Sequence, residues 1–220
     1  MPRTGEFTFS SADVARCRSS AYAVLAMAFT TPETDTRHQA SVRGAALLPD
    51  LLEACGAKKL RRLARRLAHT WPSADIHRRL FDAAPTCETA PYETRYAAPA
   101  VANDESALAP FLSVIENDTS ICERGDHVAV ECEMMSVLAG EEAQALDKHD
   151  EIGAARAREA ESALLRDHLS RFAPVFGERV GRADPDGFYG GMGRVLSAFV
   201  QWDCTHHGVE VPPSLYRAKR

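Results

Sequence analysis

An all-α fold is what this 220-residue chain predicts, and three observations carry the prediction. Apolar residues recur at spacings of three and four along most of its length. No alternating apolar and polar run of strand length interrupts them, and prolines fall where helices should stop. Taken in order, Val14, Cys17, Ala21, Leu25 and Phe29 trace the stripe of a first helix over 11–29, with Pro32 just beyond it. A short helical piece over 49–55 ends at Gly56, a residue suited to a C-terminal cap. Leu60, Leu63, Leu67 and Trp71 mark one face of a third helix that stops before Pro72, and Ile76, Leu80 and Phe81 belong to a fourth over 73–83. Between Asp82 and Asp104 the period collapses, and Pro85, Pro91 and Pro99 exclude a continuous helix.

Beyond that connection, Leu108, Phe111, Leu112 and Ile115 mark a fifth helix, and Val128, Cys132, Met135 and Leu138 a sixth over 126–146. A seventh starts near Ile152, buries Leu164, Leu165, His168, Leu169 and Phe172 or lines a groove with them, and closes at Pro174. Asp184 and Pro185 read as cap and first-turn proline of a last helix carrying Phe188, Met192, Val195, Leu196, Phe199 and Trp202. Gly190, Gly191 and Gly193 inside it cost about 1 kcal/mol each relative to alanine, so a neighbouring backbone is expected against them. The expected organisation is a single helical-bundle domain with two subdomains. These are an N-terminal helical part over about 10–83 and a C-terminal part over 104–204, joined by a proline-rich hinge loop at 84–103, with a tail at 205–220.

Apolar residues make up 45% of the chain, as a packed core requires, and the formal net charge is −5. The longest uncharged stretch, Ser19 to Pro32, falls short of the roughly 20 residues that cross a bilayer, so no membrane span is expected. The N-terminus lacks a basic-then-apolar leader pattern, which predicts a cytoplasmic location. The six cysteines form no C-x-x-C pair, which favours reduced thiols over a disulfide framework.

Charge is uneven. Residues 58–79 carry eight basic side chains against Asp75 alone, whereas 103–151 carry thirteen acids against Arg124 and Lys148. With little aromatic interleaving and no reader motif, the basic stretch predicts no nucleic-acid partner. The acidic half would attract a cationic ligand. No G-x-S-x-G, glycine-rich phosphate loop or H-E-x-x-H is present, so the chain is not read as an enzyme. Cys122, His127, Glu131 and Cys132 keep open a metal-dependent regulator or enzyme as an alternative, and a generic helical adaptor is another.

Two segments are more specific: Pro91-Tyr92-Glu93-Thr94-x-Tyr96 in the hinge, and Asp126-His127 followed by Glu131-x-Glu133-Met134-Met135. On spacing alone Asp126 reads as a helix cap. In their order, with LLRDHLSRFAPVF and FYGGMGRVLSAF following, they resemble the TorD/DmsD family of cytoplasmic chaperones for molybdenum enzymes. The resemblance covers about residues 10–203. It departs in letter at Ala90, Gly125, Met134 and Phe172, where that family commonly has Pro, Pro, Phe and Trp. The closest similarity is to chaperones of periplasmic dimethyl sulfide or ethylbenzene dehydrogenases and chlorate or selenate reductases.

The resemblance implies a partner, the catalytic-subunit precursor of a molybdoenzyme, recognised through its twin-arginine leader. It also implies no permanently bound cofactor, only transient contact with bis-molybdopterin guanine dinucleotide through the client. Some relatives exchange helices, so a monomer or a helix-swapped dimer is expected. The residues expected to line the leader groove are Tyr92, Glu93, Tyr96, Asp126, His127, Glu131, Met134 and Met135. Carboxylates grip guanidinium groups in forked pairs, aromatic rings stack on them, and methionines adapt to varied leaders. His127 adds an expected pH dependence around 6.5.

Overall fold

A computed structural model describes residues 9–32, 34–82, 87–96, 108 and 124–210. Helix α1 (Ser11–Ala28) opens with a reciprocal cap: the Ser10 hydroxyl accepts from the Asp13 amide at 3.1 Å, and the Asp13 carboxylate accepts from the Ser10 amide at 3.2 Å. Helix α2 runs over Asp35–Ala54, far longer than the 49–55 piece expected, with Pro49 inside it. Its buried face of Ser41, Gly44, Ala45, Leu48 and Leu52 is mostly small, so no strong apolar stripe announces it. That smallness has a use, because a Cβ on Gly44 would lie 3.0 Å from Val24 of α1.

The third expected helix is broken: a 3₁₀ turn (Lys58–Leu60), one α-turn α3 (Arg61–Ala64) and a second 3₁₀ stretch (Arg65–His69). The fourth is a short α4 (Ala74–His77) running into a π-turn (Arg78–Asp82). Of the expected fifth helix only Leu108 lies within the described residues, and it is buried. Then come α5 (Val128–Asp147), α6 (Glu151–Leu164), a π-turn (Leu165–Leu169), α7 (Ser170–Ala183) and α8 (Phe188–His207). Pro174 therefore lies within a helix and does not end one. The π-turn just upstream, where the Ser170 amide reaches back five residues to Leu165, resets the hydrogen-bond register before the proline.

Among the described residues no strand longer than an isolated bridge occurs, and no helix is long and apolar enough to cross a membrane. Residues from both sides of the expected hinge share one contiguous core, from Tyr22, Leu48 and Phe81 to Met135, Phe176 and Phe199. The most extensive helix pairs are α1 on α5 and α7 on α8. The glycines of α8 explain the second pair. A Cβ on Gly193 would lie 2.7 Å from the Gly177 carbonyl oxygen, one on Gly177 would run into the Gly193 carbonyl, and one on Gly191 into Leu67. Asp184 does serve the start of α8, its carboxylate accepting from the Gly190 amide at 3.1 Å, but the helix begins three residues later than the Asp-Pro pair suggests.

Midway along α1, Arg18 is sealed from solvent and meets a carboxylate from each of three other helices. Its guanidinium donates to Asp203 of α8 at 2.7 and 3.0 Å, to Glu142 of α5 at 3.1 Å, and to Glu161 of α6. Tyr22 adds a hydroxyl to Asp203 at 2.8 Å, and Arg158 supports Glu142 at 2.9 Å. His207 lies 2.6 Å from the same guanidinium and 3.2 Å from Ser162. Burial disfavours the charged guanidinium, yet Asp203 and Glu161 hold it firmly protonated.

Replacing Arg18 by Met leaves three buried carboxylates without their shared cation and should cost about 3–5 kcal/mol, read as a lower urea midpoint with unchanged slope. Gly177→Ala should cost about 1–3 kcal/mol by forcing α7 and α8 apart, in the same measurement.

Candidate functional site

The two motif segments meet. The hinge segment is first anchored: Cys87 donates to the Leu80 carbonyl at 2.8 Å, Thr89 donates to the same oxygen, and Arg179 of α7 donates to the Glu88 carbonyl at 3.0 Å while lying over the Tyr96 ring. This delivers Pro91–Glu93 alongside Asp126–Val128. The Glu93 amide donates to the Asp126 carbonyl and the Val128 amide to the Pro91 carbonyl, both at 2.8 Å, an antiparallel bridge centred on Tyr92 and His127.

Side chains reinforce it. The Thr94 hydroxyl donates to Asp126 at 2.7 Å, Arg124 pairs with Asp126 at 3.0 Å and lies over the Tyr92 ring, and the Tyr92 and His127 rings meet edge to face at 5.2 Å. From the π-turn between α6 and α7, His168 reaches Glu93 at 3.0 Å. A π-turn widens the helix locally and re-aims the side chains on it, and such turns concentrate at functional sites. Thr94, Arg124 and His168 were not among the expected site residues. The signal for His168 was its place in an apolar stripe, where an imidazole needs a partner.

The cap of α5 is His127 and not Asp126: its Nδ1 accepts from the Ala129 amide at 3.1 Å, while the Asp126 carboxylate is drawn off to Thr94 and Arg124. Burial, aided by nearby His77, pulls the His127 imidazole down to about 3, so it is neutral at physiological pH. The expected titration around 6.5 is thereby overturned.

Of the eight expected groove residues, Tyr92 and Glu93 are half-buried. Tyr96, Asp126, His127, Glu131, Met134 and Met135 are interior, the methionines wholly in the core. Glu131, one turn into α5, is 0% exposed, and among the described residues neither carboxylate oxygen has a hydrogen-bond partner. Burial, then the neighbouring charges of Glu93 and Asp126, push its pKa well above the ordinary range. The junction thus gathers three carboxylates under an aromatic edge, an arrangement that attracts a planar cation. Among the described residues no group of three or more His, Cys, Asp or Glu is placed to hold a metal ion, and Cys122 lies outside those residues. Cys132 is fully buried, and its thiol is pushed up by that burial.

The family model described as nitrate reductase delta subunit matches residues 45–178, well over half of the chain. No curated protein and no solved structure matches it.

Glu131 ionises readily in the unfolded chain at the ordinary value of 4.5 but resists ionisation when folded. Its contribution to stability is therefore fully present below pH 4.5 and is lost as pH rises toward its folded pKa. Glu131→Gln should gain in thermal stability over the native chain progressively from pH 4.5 upward, with no growing gap below it, as read by melting temperature across pH.

Proposed function

The chain belongs to the nitrate reductase delta subunit family, chaperones for the assembly of a molybdoenzyme, and from that premise we propose that it acts by binding the twin-arginine leader of its client's catalytic-subunit precursor. The observation that carries this reading is the bridge between Tyr92 and His127, which brings Glu93, Asp126 and Glu131 into one junction edged by aromatic rings. Carboxylates pair with guanidinium groups through parallel hydrogen bonds, and Tyr92 already holds one guanidinium, that of Arg124, over its face. Leader binding delays export while the client receives its bis-molybdopterin guanine dinucleotide, so the chaperone works on the cytoplasmic side and meets that cofactor only through the client. The role is protection and timing of another protein's maturation, without a reaction of its own.

Asp126 and His127 are so deeply built into the fold that their removal would disturb the junction itself, so Tyr92 and Glu93, which reach solvent, carry the test. Calorimetric titration with a synthetic twin-arginine leader should show binding that falls more than tenfold for the twin-lysine peptide, because an ammonium cannot make the forked contact. Glu93→Gln and Tyr92→Ala should each weaken the arginine peptide about tenfold at unchanged far-UV circular dichroism. Equal affinity for both peptides would leave a generic helical adaptor.

A further inference from the structure

Glu93 and Asp126 each have a hydrogen-bonding or ionic partner in this chain, His168 for the first and Arg124 with Thr94 for the second. Glu131 has none. Both its oxygens are buried and unpartnered, which folded proteins seldom tolerate. An ionised carboxylate there would stand uncompensated beside two others, a cost of several kcal/mol that protonation avoids. The titratable groups that act on it directly are Glu93 from the hinge, Asp126 just before α5 and the buried Cys132 thiol beside it; behind these stand Arg124 on Asp126, His168 on Glu93, and neutral His127 with His77.

We propose that Glu131 is held as the uncharged acid in the free chaperone and gives up its proton to solvent when a guanidinium group docks against it, so that cation binding at this junction is coupled to release of one proton. The inference rests on the leader reading above and names the group that the junction grips. A guanidinium offers two parallel N–H donors, one for each orphaned oxygen, and its fixed charge supplies the compensation that the fold withholds. The solvent-facing edge of the junction is made by Tyr92, Glu93, Thr94 and Arg124, so the cation enters from that side. The balance is simple: an acid and a guanidinium cation become a carboxylate–guanidinium pair and a free proton. Affinity must therefore rise with pH until Glu131 is ionised in the free protein as well, and then level off.

Calorimetry of the twin-arginine leader in buffers of different ionisation enthalpy counts the protons. At pH 7 the native chain should release close to one per leader bound, with affinity rising by up to tenfold per pH unit. Glu131→Gln should bind more weakly, release none and show no pH slope. His168→Asn tests the other source, since His168 is the imidazole that Glu93 holds in the free chain. Release that persists in that variant assigns the proton to Glu131, and release that persists in Glu131→Gln overturns the proposal. An infrared band of an un-ionised carboxyl, present in the free protein and lost on binding, gives the same answer without a variant. Should the leader fail to bind at all, the leader reading falls. Titration with an Arg-Arg dipeptide amide then decides the proton coupling by itself: release of a proton supports it, and binding without release or no binding ends it.

Discussion

One guanidinium in the interior sets the geometry of this bundle. Arg18 on α1 takes carboxylates from α5, α6 and α8 at once, so those helices are fixed in rotation as well as in distance. An apolar contact alone permits a helix to roll or slide by part of a turn at small cost, whereas a forked donor shared among Asp203, Glu142 and Glu161 does not. The rest follows from that constraint. With α5 held in place, Glu131 in its first turn and Asp126 and His127 just before it face the segment that carries Tyr92 and Glu93.

Helix α5 therefore carries two buried acids under opposite regimes. Glu142, three turns along from Glu131, also has its pKa raised by burial and by Glu161, but Arg18 and Arg158 both reach it. Glu131 has no such help. Within one helix the fold thus completes one ionic site from its own chain and leaves another incomplete. A fully satisfied arrangement fixes the packing around it, whereas one left open keeps a buried acid under strain.

Much of this was legible in the sequence, for identifiable reasons. The stripes of α1, α5 and α8 are long and regular, and the α8 glycines announced a close backbone that proved to be Gly177. Helix α2 was hidden because its buried face is Ser41, Gly44 and Ala45 as much as leucine, and the seventh helix seemed to end at Pro174 because a π-turn leaves no mark in composition. At the site, the order of the two motifs was readable and their contact through backbone hydrogen bonds is consistent with it. Burial was not readable: Asp126, His127 and Glu131 look like surface charges in a stretch crowded with acids. Arg18 was invisible for the same reason, since its partners lie 124, 143 and 185 residues away.

The π-turn at Leu165–Leu169 inserts one residue into what is otherwise a single helical path from Glu151 to Ala183. One residue is about 100° of rotation, so the faces before and after it point to different neighbours. Glu161 answers to Arg18, whereas Gly177 answers to Gly193 and Arg179 to Tyr96. Evolution can exchange the exposed side chains along this stretch, though not Glu161 or Gly177, and keep these partners in register. It cannot add or remove a single position there, because every downstream neighbour would be addressed by the wrong residue.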